Sequence, residues 1–180
     1  AEHIAMLKRL NVETSEVRLP EHLNGLDGLI IPGGEPTTIG KLAIAYRLIE
    51  PLWQFGQRHA IWGTCAGAIF ISKDIGRDQP LLGLMDIKVQ RNAFGRQIAS
   101  FETDLDIPEL KQATGTDAPY HAVFIRAPII ESVSGDAKIL ASVPDGRIVA
   151  AQQGHLLATS FHPELTNDTR FHEYFLSIVD

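Results

Sequence analysis

The sequence predicts an α/β fold of three layers around a mixed, mostly parallel sheet. Three observations lead there. Short apolar runs alternate with helical patterns in the first half, the second half is rich in strand patterns, and 180 residues that are 44% hydrophobic suffice for one substantial core. The expected organisation is a single domain over residues 1–180.

From the start of the chain, Ile4, Leu7 and Leu10 recur at helical spacing, and the alternating stretch that ends at Leu19 reads as a strand. Residues 28 to 31 are a continuous apolar run stopped by Pro32-Gly33-Gly34, the pattern of a strand buried on both faces. Ile39, Leu42, Tyr46 and Ile49 then predict one buried helical face, and Pro51 a second short helix carrying Leu52 and Phe55. Ala60-Ile61-Trp62 is another buried strand, which passes through Gly63-Thr64-Cys65-Ala66-Gly67 into a helical run. Strands are further expected at 86–90, around Phe101 to Ile107, and at 122–125, 139–143, 148–152 and 156–161, with a turn at Gln153-Gly154. The chain closes on a helix that presents Phe171, Phe175 and Ile178, with Asn167 and Asp168 as cap candidates.

Charge and composition exclude several function classes. A formal charge of -6, with acidic and basic residues interspersed, argues against a nucleic-acid partner and leaves no polybasic strip for a membrane surface. The apolar run Ala68 to Ile71 is far shorter than the roughly 18 residues that a membrane span needs. A single cysteine rules out an internal disulfide framework, so a reducing cytoplasm is the expected location. His3, His22, His59, His121, His155 and His172 share no metal-ligand spacing and are expected to be surface or packing residues, so no metal is expected.

Gly63-Thr64-Cys65-Ala66-Gly67 has the form glycine, any residue, nucleophile, any residue, glycine, in which small neighbours permit a tight strand-to-helix turn. A cysteine just before a helix faces backbone N–H groups and the positive end of the helix dipole, which favours the thiolate. His162-Pro163-Glu164 follows a strand candidate, and residues two apart on a strand share a face, so Glu164 can orient His162. Gly33-Gly34-Glu35-Pro36-Thr37-Thr38 is a glycine loop after a buried strand, the usual ligand position in open α/β sheets. It is not a phosphate loop, because five residues separate Gly34 from Gly40 and Lys41 is followed by Leu42. The Gly34 amide and Ala66 N–H are instead candidate oxyanion donors. The plain alternatives are a buried structural cysteine, an ordinary strand exit, and a helix capped by Thr37 or Thr38.

The three motifs together resemble the class I glutamine amidotransferases, which implies a flavodoxin-like three-layer fold. A narrower resemblance runs along essentially the whole chain. Arg91 to Gln97, Phe124-Ile125-Arg126-Ala127-Pro128 and Phe161 to Thr166 are similar to the PdxT/SNO family, the glutaminase subunits of pyridoxal 5'-phosphate synthase. By that resemblance Cys65, His162 and Glu164 are catalytic, and glutamine contacts fall on Gly34, Glu35, Pro36, Arg91, Ile125 and Arg126. It implies L-glutamine as substrate, no cofactor, and a synthase subunit of the PdxS/SNZ type as partner in a hetero-oligomer. Two departures stand out. The family begins with a central strand and a Gly-x-Gln-Gly loop, whereas this sequence starts at the following helix, so it is expected to be a piece of a longer protein. The family usually has serine where Pro36 stands, so a hydroxyl and a backbone donor are lost there.

Other functions that fit the same triad are a glutaminase feeding another biosynthetic synthase, a catalytically silent synthase-binding module, and a peptidase or chaperone-like relative on the same fold.

Overall fold

The computed structural model of the chain describes residues 1–91, 94 and 100–179. Helix α1 (Glu2–Arg9) leads through residues without strand pairing and a 3-10 turn (Pro20–Leu23) to β1 (Gly28–Ile31). Then come α2 (Pro36–Ala45), α3 (Ile49–Arg58), β2 (Ala60–Thr64), α4 (Ala66–Ile71), β3 (Ser72–Asp74) and β4 (Met85–Gln90). The second half holds β5 (Ser100–Leu105), α5 (Pro108–Thr114), β6 (Tyr120–Ile125), β7 (Ile129–Val133) and β8 (Lys138–Ser142). It ends with β9 (Ile148–Gln153), β10 (Leu156–Thr159), a 3-10 turn (Pro163–Leu165) and α6 (Arg170–Ile178).

Seven strands run in the order β1-β2-β10-β9-β7-β4-β3, with β8 pairing β9 beside that path, while β5 and β6 form a separate antiparallel pair. The sheet is mixed, as expected, but its parallel character is confined to β1-β2-β10 and to β3-β4. Every other pairing is antiparallel, and in β8-β9 and β9-β10 tight turns at Gly146 (φ 93°) and Gly154 (φ 58°) return the chain directly alongside itself.

Alternation along β2 builds the layers. Ile61 joins the cluster under α2, α3 and α4 with Phe55, Ile69 and Leu156, whereas Ala60 and Trp62 join the opposite cluster with Leu110, Phe171 and Phe175 of α5 and α6. Ile61 and Trp62 are wholly buried, and each such side chain contributes about 1.5–3 kcal/mol by leaving water. Trp62 keeps its polar edge satisfied by donating Nε1–H to Thr159 Oγ1 at 3.0 Å.

Several expectations are corrected. The stretch ending at Leu19 is not a strand, since no described strand lies alongside it to pair its backbone. In β1 only Ile31 is buried, while Leu29 and Ile30 are half-buried, so the strand is not fully covered on both faces among the described residues. In α2 the buried residues are Gly40 and Ala43, while Leu42, Ile44 and Tyr46 are exposed. A methyl group at Gly40 would meet Pro80 at 3.0 Å, so this helix packs through its small side. Pro51 lies inside the first turn of α3, where its missing N–H has no helical role to lose, and the strand expected to reach residue 161 ends at Thr159. Strands β3 and β7 and helix α5 were not foreseen.

Candidate active site

The position of Cys65, the candidate nucleophile, is made by packing around glycines. Cys65 sits between β2 and α4 with φ 53° and ψ −110°, a backbone conformation that L residues rarely adopt. Its N–H donates to Thr159 O of the neighbouring strand at 2.8 Å, which holds the turn to the sheet. A methyl group on Gly67 would lie 1.9 Å from Ile31 O, and one on Gly63 would lie 2.5 Å from Gly67 O. Only glycines let α4 press this closely against the ends of β1 and β2. The loop after β1 is thereby drawn over the cysteine: a methyl group on Gly33 would touch His162 Cε1 at 3.0 Å and Cys65 Cβ at 3.4 Å.

His162 leaves the end of the β10 segment and is fixed by its N–H, which donates to Val123 O of β6 at 2.8 Å. The 3-10 turn that follows folds Glu164 back, so that Glu164 Oε1 lies 2.8 Å from His162 Nδ1. Both side chains are mostly buried. Burial pushes the His162 imidazole down, yet hydrogen bonds with Cys65 and Glu164 outweigh it and hold the pKa at about 10. Burial pushes the Glu164 carboxyl up, but hydrogen bonds from His162 and His3 hold it at about 2. The arrangement therefore carries a protonated imidazole between the Cys65 sulfur and an ionised carboxylate at neutral pH.

The remaining expected residues gather at the same end of the sheet. Ile125 O lies 4.0 Å from Cys65 Sγ at the end of β6, and the next residue, Arg126, is held at φ 45°. Ala66 opens α4, so its N–H has no acceptor within the helix. Gly34 follows Gly33 in the loop over Cys65. Glu35, not Thr37 or Thr38, caps α2: its carboxylate accepts from Thr37 N at 3.1 Å and Thr38 N at 2.7 Å. The Thr37 and Thr38 hydrogen bonds hold the exposed Glu35 carboxyl at about 2. Pro36 is the first residue of α2, a position where the missing N–H costs nothing. Arg91 reaches from the end of β4 to Glu35 Oε1 at 3.4 Å and Gln79 Oε1 at 3.2 Å. Of the motif that begins at Arg91, residues 92, 93 and 95–97 lie outside the described residues.

Two histidines expected to be surface or packing residues belong to this site's surroundings. His3 Nε2 lies 3.1 Å from Glu164 Oε2, and His3 Nδ1 lies 2.9 Å from Nε2 of the fully buried His172. The spacing of the sequence held no signal for this, because α1 and α6 meet only in three dimensions. Among the described residues, no group of three or more histidine, cysteine, aspartate or glutamate side chains is arranged to hold a metal ion. No described helix is long and apolar enough to cross a membrane.

A strand-to-helix cysteine turn, a His-Glu pair on a neighbouring strand end and a glycine loop over the nucleophile, on a three-layer mixed sheet, define the fold of the class I glutamine amidotransferases. The chain belongs to the SNO glutamine amidotransferase family, whose sequence model matches residues 1–180. It is 57% identical over 182 residues to the pyridoxal 5'-phosphate synthase subunit PdxT of Herpetosiphon aurantiacus, with 98% of this chain and 93% of that protein covered. The subunit PdxT of Moorella thermoacetica is 52% identical over 180 residues, with 99% and 93% covered. A crystal structure described as a glutamine amidotransferase superposes with a TM-score of 0.90 at 46% identity, covering 98% of this chain and 92% of the other. A Thermoplasma acidophilum protein named for GMP synthase, at TM-score 0.69 and 20% identity, covers 98% of this chain and 86% of its own and shares the fold.

Proposed function

We propose that the chain is the glutaminase subunit of a pyridoxal 5'-phosphate synthase, acting as one domain in the cytoplasm, with Cys65, His162 and Glu164 as its triad. The observation that carries this is the placement of His162 against both the Cys65 thiol and the Glu164 carboxylate, 2.8 Å from the latter, beneath the Gly33-Gly34 loop.

The chemistry follows from those positions. The Cys65 sulfur attacks the side-chain amide carbon of glutamine as the thiolate, forming a C–S bond while the carbonyl oxygen becomes an oxyanion that accepts from Gly34 and Ala66 N–H. Protonated His162 gives its proton to the leaving nitrogen, the C–N bond breaks and ammonia departs, leaving a glutamyl thioester. The now neutral imidazole takes a proton from water, which attacks the thioester carbon; the C–S bond breaks and glutamate is released. Glu164 stays ionised throughout and stabilises the imidazolium.

Gly34, Glu35, Pro36, Arg91, Ile125 and Arg126 are the proposed glutamine contacts, a reading supported by the closeness of Ile125 O to Cys65 and of Arg91 to Glu35. Because the Glu35 carboxylate is committed to the cap of α2 and to Arg91, its part in glutamine binding is through the backbone and through holding Arg91. Ammonia set free in water at neutral pH is protonated and loses its nucleophilicity, so the product must pass directly to a synthase subunit, which we take to be of the PdxS type. No cofactor is required by any step.

The test is glutamate release from glutamine by the wild type and Cys65→Ala, each with and without the synthase subunit. Release by the wild type that depends on the partner and falls by roughly a thousandfold or more in Cys65→Ala is the expected result. Release that persists in Cys65→Ala overturns the assignment.

A further inference from the structure

The Glu164 carboxylate has two oxygens, and the triad uses one. Oε1 faces His162 Nδ1, whereas Oε2 faces His3 Nε2 at 3.1 Å, across from α1. His3 is in turn enclosed. Its Nδ1 meets His172 Nε2 of α6 at 2.9 Å, its ring stands edge-on to Trp62 with centroids 5.7 Å apart, and Thr64 Oγ1 lies 3.4 Å from its Nε2. Trp62 and Thr64 are residues of β2, the strand that delivers Cys65.

We propose that His3 is a positioning residue of the glutaminase reaction, donating Nε2–H to Glu164 Oε2 so that the carboxylate is held with Oε1 toward His162, and that His172 keeps His3 in the tautomer this requires.

The hydrogen placement follows from who can donate. An ionised carboxylate only accepts, so Nε2 of His3 carries the hydrogen. Nδ1 of a neutral His3 then accepts, which requires His172 to donate through Nε2 and leaves His172 Nδ1 without hydrogen. His172 Nδ1 is buried and has no partner among the described residues, which is tolerable for a bare ring nitrogen and costly for an N–H. A doubly protonated His3 reverses that order, since it donates through Nδ1 and drives the hydrogen of His172 onto the unpartnered Nδ1. The network thus selects one tautomer at each ring. Burial, with a smaller contribution from His3, holds His172 down at about 3, so it stays neutral in that arrangement. Held at both oxygens, the carboxylate cannot rotate away from His162, and the imidazole it orients remains aimed at Cys65.

This inference rests on the triad proposed above and is tested beside it. In the full-length protein assembled with its synthase subunit, glutamine hydrolysis and thermal melting are measured for the wild type, His3→Phe, His3→Gln and Cys65→Ala. Phenylalanine keeps a ring against Trp62 and removes the donor, whereas the glutamine amide restores an N–H at similar reach. The expected result is a kcat about 10- to 100-fold lower in His3→Phe, with KM within about twofold, Tm within a few degrees, and at least half of the lost factor, on a logarithmic scale, recovered in His3→Gln. A wild-type kcat in His3→Phe overturns the proposal, as does an equal loss in both His3 variants. If His3→Phe does not fold, His3→Asn replaces it, because its shorter amide falls short of Glu164; equal rates in His3→Asn and His3→Gln then overturn the proposal. Activity that survives in Cys65→Ala overturns the triad itself, whereas an inactive Cys65→Ala beside a fully active His3→Phe removes only the role of His3.

Discussion

At the scale of single residues, the proposed chemistry depends on a glycine and a histidine as much as on the nucleophile. Cys65 was legible from its motif because glycines two positions away on both sides make room for a tight strand-to-helix turn, which a merely buried cysteine does not need. Gly33 was legible only as part of a loop, yet it is the residue over which the loop approaches the dyad. An added methyl group meets His162 Cε1 at 3.0 Å and Cys65 Cβ at 3.4 Å, so the imidazole must shift by a few tenths of an ångström. Gly33→Ala is therefore expected to lower kcat by about tenfold or more while Tm changes by only a few degrees, as read from steady-state kinetics beside thermal melts. His3 was not legible at all. Its Glu164 partner is 161 positions away in the chain, and no spacing rule relates the first turn of one helix to a turn that follows a distant strand.

Among elements, the joint between β2, α4 and β1 decides whether a site exists. The 1.9 Å approach that a Gly67 methyl group would make to Ile31 O involves backbone on both sides, so neither partner can swing aside. Gly67→Ala is expected to cost about 3 kcal/mol or more, seen as a Tm lower by roughly 10 °C or as insoluble protein. A second joint lies in the buried bond from Trp62 Nε1 to Thr159 Oγ1, which ties β2 to β10 at 3.0 Å. Thr159→Val keeps the shape and removes the acceptor. It is expected to destabilise by about 1–3 kcal/mol, or roughly 2–12 °C in Tm, by the penalty for an unpaired buried N–H. Strands β1 and β2 were legible as short continuous apolar runs, and β5 from the period-two alternation of a half-exposed strand. Helix α5 was missed although Pro108 and Gly115 punctuate it, since seven residues with Leu110 alone buried give too short a pattern. Of the apolar face expected from Ile39, Leu42, Tyr46 and Ile49, only Ile39 and Ile49 pack against the core: tight packing selected Gly40 and Ala43 and left Leu42, Ile44 and Tyr46 outside.

For the whole molecule, the paired His162 and Glu164 of the proposed triad make stability a function of pH. His162 has a folded pKa of about 10 against 6.5, so its contribution is complete below 6.5 and is lost as pH rises through about 10. Glu164 has a folded pKa of about 2 against 4.5, so its contribution is complete above 4.5 and is lost as pH falls through about 2. The Tm difference between the wild type and Glu164→Gln is thus expected to be largest between those unfolded values and to shrink toward pH 10, as thermal melts across that range will report. The sequence by itself determined the fold class, the apolar runs that become β1 and β2, and the choice of Cys65, His162 and Glu164 as the proposed triad, because local steric motifs and apolar periodicity are written in neighbouring residues. Only the tertiary structure decided that Gly40 and Ala43 are the buried residues of α2, that Glu35 caps that helix, and that His3 and His172 stand behind Glu164. Those facts depend on which distant surfaces meet, and burial, unlike periodicity, is a property of the packed chain.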